Sequence, residues 1–321
     1  MMIKIGVVGA GHLGKIHLKL LNSSKKFDLI GFYDTDEISS KELSKKEGYK
    51  YFSNLDSLLD NVEAIDIVSP TTTHYEIAKH VISKNKNVFI EKPITDKTVH
   101  AKELIELSKK NNTIGQVGHV ERFNPAYVAA KPHFNNPMFI ESHRLSDFNP
   151  RGNDVSVIMD LMIHDIDIVL NTVKSKVKTI NASGVSIVSD SPDIANARIE
   201  FENKCVANLT ASRISLKKMR KTRIFQKDAY ISIDFLEKEL EIVKIKDVDK
   251  SNSNLSMVLK TNSGKDKVIY FENPEILEEN SILNELESFA ESMNNKSLPK
   301  VTLLDGYEAV RIANEIMDQI Q

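Results

Sequence analysis

Ile3-Lys4-Ile5-Gly6-Val7-Val8-Gly9-Ala10-Gly11-His12-Leu13-Gly14 decides how the first half of this chain is read. A short apolar, β-branched run ends at Gly9, and a helical pattern over Leu13–Leu21 follows. Gly9 to Gly14 matches G-x-G-x-x-G, and the strand before it and the helix after it are the context that motif requires. Gly9 permits the tight turn, Gly11 lets a pyrophosphate approach the backbone, and Gly14 lets helix and strand pack closely. The helix N-terminus adds amide donors and a dipole that favours negative charge. His12 and Leu13, within the motif, join the three glycines as expected cofactor contacts. An acidic residue is expected about 20 residues further on, at the end of the second strand. Asp34 stands there, just after Leu29–Tyr33, with Asp36 as the second candidate. A carboxylate accepts both adenosine ribose hydroxyls and repels a 2′-phosphate, so NAD is expected rather than NADP. The same loop and carboxylate would suit S-adenosylmethionine, a rival that the rest of the chain has to separate.

Outward from this loop, strand-like and helix-like segments alternate over the first 120 residues. Strands are expected at 29–33, 64–68, 87–90 and 113–118, and helices at 39–47, 74–83 and 99–109. That alternation predicts right-handed βαβ crossovers and a parallel sheet covered on both faces. Beyond residue 120 the rhythm changes. A strand over 139–145 and a helix over 157–173 precede a strand-rich block from about 177 to 246. Glu202-Asn203-Lys204 and Glu237-Lys238 read as hairpin turns, 247–254 as a polar loop, and 277–293 and 306–320 as amphipathic helices. The expected fold is α/β plus α+β: a doubly wound parallel sheet over 1–120, then a mostly antiparallel open sheet with helices over 121–321. The C-terminal helix, about 305–321, is the one segment of the second domain that could pack back on the first.

Composition agrees with two ordinary globular domains. The chain has 321 residues, 43 Lys+Arg against 45 Asp+Glu, and a net charge of −2. No basic excess is available for nucleic-acid binding. No apolar run reaches the roughly 18–20 residues of a membrane span. The N-terminus lacks a secretory cleavage pattern. The lone Cys205 excludes an intramolecular disulfide and most simply packs in its strand. A cytoplasmic location is expected.

Two further constellations carry chemistry. Glu91-Lys92-Pro93 closes the strand over 87–90, at the carboxyl end, where open parallel sheets hold ligands. Pro93 restricts the backbone of Lys92 and admits a cis peptide bond. A lone Lys in a turn is ordinarily just a solvated charge. Asp160 and His164 lie four apart on an apolar helix, where a polar pair needs a partner or a purpose. A self-satisfied pair that orients the helix is the plain alternative, and two ligands are too few for a metal site. Asp165 and Asp167 read as surface or polar-network residues.

Together these features resemble the Gfo/Idh/MocA oxidoreductases over nearly the whole chain. The likeness includes Ser69-Pro70-Thr71-Thr72-Thr73-His74, which looks like that family's nicotinamide-side loop, and the late segment 299–320. The resemblance implies a Rossmann domain that binds NAD through the glycine loop, Asp34, Ser69, Pro70, Thr71, His74, Glu91 and Lys92. It implies catalytic roles for Lys92, Asp160 and His164. One departure is Val157-Ile158-Met159, where many members carry glycine just before the Asp. Gly115 to Pro125 and Asp160 to Asp167 look like the branch that holds bacterial UDP-N-acetylglucosamine 3-dehydrogenases. That branch implies a sugar-nucleotide substrate, a partner aminotransferase in lipid A precursor synthesis, and a homodimer or homotetramer.

Ordinary histidine ionises near pH 6.5 and lysine near 10.4. His164 is therefore expected as general base, Lys92 as the cation at the developing alkoxide, and Asp160 as the residue orienting His164. Arg122, Arg144 and Arg151 are the candidates for a diphosphate anchor, since the Arg fork suits phosphate. His12, His119 and His143 are expected to be structural rather than catalytic. The alternatives are a dehydrogenase of another sugar, cyclitol or polyol, and a nicotinamide-sensing regulator without catalysis.

Overall fold

The computed structural model describes residues 1–148, 155–247, 257–259 and 267–320. Arg151 and the expected polar loop beyond Asp247 lie outside them. The chain divides into two compact units, Met1–Val120 with Asn280–Arg311, and Glu121–Glu279 with Ile312–Gln321.

The first unit alternates β1 (Ile3–Val8), α1 (His12–Ser23), β2 (Phe27–Tyr33), α2 (Glu37–Glu47), a short α3 (Leu55–Leu59), β3 (Ala64–Ile67), α4 (Thr71–Ser83), β4 (Asn87–Glu91), α5 (Thr98–Asn111) and β5 (Gly115–Gly118). Its five strands are all parallel in the order β2-β1-β3-β4-β5. Strands β1, β3, β4 and β5 are buried almost end to end, as strands covered on both faces must be, whereas the edge strand β2 is part-exposed. The chain leaves β1 for one side and returns on the other at β3. The crevice beyond the carboxyl ends of these two strands is thus the switch point where such sheets take ligands.

The second unit begins with a 3-10 turn (Val120–Phe123), α6 (Pro125–Ala130) and β6 (Phe139–Leu145). A π-helical turn (Ile158–Met162) then leads directly into α7 (Ile163–Val173). Seven strands come next: β7 (Val177–Val185), β8 (Ile194–Phe201), β9 (Val206–Ser212), β10 (Met219–Phe225), β11 (Ala229–Asp234), β12 (Glu239–Asp247) and β13 (Met257–Leu259). The last strand, β14, is Lys267–Glu272. The nine-stranded sheet runs β13-β14-β12-β11-β10-β6-β9-β8-β7. Its pairs are antiparallel apart from β6 with β9. Strands β6, β8 and β9 alternate buried and half-exposed residues, the mark of a sheet with one covered face. Ile140, Ala197, Ile199 and Leu209 line that face, and Ile163, Ile166 and Val169 of α7 are buried with them.

Two late helices follow, α8 (Ser281–Asn295) and α9 (Leu303–Ile320). Residues 280–304, expected in the second domain, belong to the first unit, as does the start of the C-terminal helix, 305–311, for which packing back there was the expectation; 312–321 belong to the second unit. The cause is packing. Leu286, Phe289, Ala290 and Met293 of α8 share one core with Ile3, Ile5, Phe27 and Phe89. The start of α9 lies against β5: a Cβ on Gly306 would stand 2.7 Å from Val117, and Gln116 bridges Thr302.

Candidate active site

In the first unit, the glycine loop takes the form that an anion needs. Gly9 has φ +98°, and a Cβ there would fall 2.7 Å from the Ser69 amide nitrogen. A Cβ on Gly14 would lie 2.0 Å from the Gly9 carbonyl oxygen, so no side chain fits at either position. A Cβ on Gly11 would meet nothing within 4 Å, so the backbone is open where a diphosphate would approach. The N-terminus of α1 has no side-chain cap, which leaves its first amides for an outside acceptor. These features fit NAD.

Asp34 at the end of β2 is held by two amides: Ala10 N–H donates to Oδ2 (2.6 Å) and Asp36 N–H to Oδ1 (2.9 Å). It is half-exposed beside the glycine loop. Asp36 is committed elsewhere, because its side chain caps α2 by accepting from Ser39. Asp34→Ala is expected to weaken NAD binding about 10- to 100-fold, because a charged hydrogen bond carries about 1.5–3 kcal/mol. Fluorescence titration with NADH checks this, and Asp36→Ala should leave the affinity unchanged.

The loop after β3 is tied to the turn after β4. Ser69 Oγ and Thr73 Oγ1 are 2.7 Å apart, and Thr73 Oγ1 donates to the Pro70 carbonyl (2.7 Å). Thr71 opens α4, and Pro70 stands at its N-cap position without a side-chain cap. His74, expected at the cofactor, is buried with its nitrogens on two carbonyl oxygens, Nε2 on Ser69 (2.8 Å) and Nδ1 on Pro93 (2.9 Å). Burial lowers its pKa. His74 therefore binds loop to turn. The Lys92-Pro93 peptide is cis. Glu91 is 9 % exposed and turns its carboxylate to His17, 3.4 Å from Nε2. Burial raises its pKa.

In the second unit, Asp160 and His164 lie on one continuous helical segment. The turn that carries Asp160 is π-helical, not the regular α-helix expected over 157–173. Such turns recur at functional sites. Asp160 is exposed and His164 half-buried.

Two of the three arginines expected at a diphosphate, Arg144 and Arg122, are paired with carboxylates. Arg144 is 3 % exposed. Its Nε and Nη2 donate to Asp165 (2.9 and 3.1 Å) and its Nη1 to Glu121 (2.9 Å). Burial alone would lower its pKa, but these two carboxylates outweigh it and keep the charge fixed. Arg122 holds Asp167 in a two-pronged pair at 2.8 and 2.6 Å. A diphosphate role for either would break a buried pair, at about 3–5 kcal/mol for the group left alone. Asp165 and Asp167, read as surface or network residues, are the buried partners that tie α7 to β6 and to the turn before α6. Cys205 is buried, which pushes its thiol up to about 11.

Sequence reasoning passed over two residues at this site, His17 and Asp66. Both are fully buried, with His17 Nδ1 2.8 Å from Asp66 Oδ2. The signal was present, since an aspartate in the apolar run Ala64-Ile65-Asp66-Ile67-Val68 cannot be buried without a partner.

Comparison with known proteins agrees with this architecture. The oxidoreductase family with an NAD-binding Rossmann fold matches residues 3–119, and the GFO/IDH/MocA C-terminal domain matches residues 99–232. The UDP-N-acetylglucosamine 3-dehydrogenase of Acidithiobacillus ferrooxidans is 36 % identical over 241 residues, 75 % of this chain and 76 % of that protein. A solved structure of that enzyme superposes with a TM-score of 0.89 at 29 % identity, covering 100 % of this chain and 98 % of the other. The scyllo-inositol 2-dehydrogenase (NAD(+)) of Bacillus subtilis is 26 % identical over 66 % of this chain and 68 % of its own. No helix among the described residues is long and apolar enough to cross a membrane. With a glycine loop, an Asp34 carboxylate and a Glu-Lys-Pro turn on a parallel sheet, followed by a matching second domain, the chain belongs to the Gfo/Idh/MocA family of NAD-binding oxidoreductases.

Proposed function

We propose that this enzyme oxidises the 3-hydroxyl of UDP-N-acetylglucosamine to a ketone. The observation that carries the reading is the 36 % identity, over three quarters of the chain, to an enzyme named for that reaction. Bound at the glycine loop, NAD supplies the hydride acceptor. The imidazole of His164 takes the hydroxyl proton, since a neutral imidazole is available near pH 7. The Lys92 ammonium stabilises the oxygen as negative charge develops on it. Asp160 orients His164. Arg144 is a poor anchor for the diphosphate, because it is buried and its Nε, Nη1 and Nη2 each already donate to a carboxylate. We further place the enzyme in the cytoplasm as a homo-oligomer, upstream of an aminotransferase that consumes the 3-keto sugar.

Absorbance at 340 nm tests the substrate, with NAD and UDP-N-acetylglucosamine beside UDP-glucose and free N-acetylglucosamine. Glutamate and an aminotransferase that accepts the keto sugar draw off the product. NADH formed only with the UDP-amino sugar is the expected result. NADH formed with scyllo-inositol or another polyol alone would transfer the activity to that class, which the inositol dehydrogenase relative makes the second reading. NAD binding without turnover of any of them would favour the regulator.

A further inference from the structure

His17 is an imidazole between two carboxylates. It projects from α1 into the core of the first unit and is fully buried. Asp66 from β3 stands 2.8 Å from Nδ1, and Glu91 from the end of β4 stands 3.4 Å from Nε2. The Phe89 ring lies edge-on to the imidazole at 6.1 Å, and Phe289 of α8 lies behind Phe89. The second oxygen of Glu91 accepts the Lys92 amide N–H at 3.1 Å. A chain of contacts thus runs from Asp66 through His17 and Glu91 to the backbone of Lys92.

A neutral imidazole has one N–H and one lone pair. Both nitrogens of His17 face carboxylate oxygens, so a neutral ring beside two ionised carboxylates would aim one lone pair at a negative oxygen. The arrangement is satisfied when the three groups hold one proton more, either on the ring or shared between Nε2 and Glu91. The space for the Glu91 carboxylate is also particular: a Cβ on Gly118, at the end of β5, would stand 2.7 Å from Oε1. The carboxylate fills the place that a side chain at 118 would take.

We propose that His17, Asp66 and Glu91 form one buried proton-holding unit that positions Lys92, with His17 a positioning residue acting through the Glu91 carboxylate. The proposal rests on reading Lys92 as catalytic. Burial lowers the His17 pKa, but the charge and hydrogen bond of Asp66, followed by the charge of Glu91, more than offset this and raise it above 6.5. Burial, and then the nearby Asp66, raise Glu91 against the opposing pull of His17 and Lys92. Both directions mean that the unit keeps its extra proton above the pH at which free groups would release it. The order it imposes is present below the ordinary histidine pKa of about 6.5 and is lost as pH rises through the raised value. Once the proton leaves, Glu91 is repelled from Nε2 and the Lys92 amide loses its acceptor. Turnover then falls on the alkaline side without loss of the cofactor.

The first test needs no substrate. In protein free of NAD, with nitrogen-15 in its histidines, the His17 resonances, assigned by their absence in His17→Gln, are followed against pH. Titration above 6.5 in the native chain, moving down in Glu91→Gln, is the expected result. His17 titrating at or below 6.5, or unmoved by Glu91→Gln, overturns the proposal. The second test uses turnover. Glu91→Gln can still accept the Lys92 amide but cannot hold the proton. Its kcat should fall about 10- to 100-fold, the usual penalty for a displaced group, and its alkaline limb should shift. KM for the sugar nucleotide should stay within about threefold of the native value. A kcat profile that superposes on the native one would show packing alone and overturn the proposal. Should the native enzyme turn over no sugar nucleotide, the substrate reading fails while the His17 titration still decides this one.

Discussion

Lys92→Met is expected to lower kcat by about 100- to 1,000-fold while the dissociation constant for NADH stays within about threefold. Methionine keeps roughly the length and apolar stem of lysine and removes only the charge. The loss is therefore that of one preorganised cation at a developing alkoxide, about 2.7–4 kcal/mol in comparable sites. The turn itself should survive. Two hydrogen bonds that hold it, from the Lys92 amide to Glu91 and from His74 to the Pro93 carbonyl, do not involve the side-chain ammonium. Stopped-flow at 340 nm with a substrate deuterated at the reacting carbon separates chemistry from product release. A larger isotope effect on kcat in Lys92→Met is expected, because the chemical step becomes limiting. An unchanged kcat would return Lys92 to a solvated surface charge.

The glycine loop was legible because its constraints are local. A turn with positive φ at Gly9, a helix pressed onto that turn at Gly14, and an acid closing the next strand are all written within a few dozen residues. The helices beyond residue 280 were not, because amphipathic spacing shows that a helix hides one face but not which sheet it covers. Leu286, Phe289 and Met293 would suit either sheet equally, and only tertiary contact sends them to β1 and β4. Strand β14, Lys-Val-Ile-Tyr-Phe-Glu, lacks the alternation that marks a half-buried strand, and its pairing with β12 is long-range.

The arginines failed as phosphate candidates for a similar reason. Arg122 and Arg144 have the chemistry of anion ligands, and their anions are inside the protein. Asp165 and Asp167, two apart on α7, diverge from one helix toward two different arginines. A helix-only view sees two acids pointing apart and cannot supply partners 21 and 45 residues away. Asp66 argues the opposite case. A charge inside a buried parallel strand is costly enough to announce a partner, although the sequence cannot say that the partner is a histidine on α1.

His164 carries the other large effect. A general base must be unprotonated to act, so on the acid side kcat should rise with pH through the ionisation of His164, up to the alkaline fall expected of the His17 unit. His164→Ala is expected to lower the maximal rate by about 10²–10⁴-fold, the usual contribution of a positioned base. The acid limb should then change form. With the ring gone, the substrate proton must leave to solvent, and the rate should climb with hydroxide concentration beyond the pH at which the native rate stops rising. His164→Asn separates this from loss of packing, since it restores a polar group of similar reach without a basic lone pair. It should retain the fold of Ile158–Val173, measured by thermal melting, yet follow the alanine variant in rate. NADH affinity in both should match the native chain, because the glycine loop and Asp34 belong to the first unit and His164 to the second. If Asn restored kcat with the native pH profile, His164 would be a hydrogen-bonding contact, and the base would have to be sought in another group.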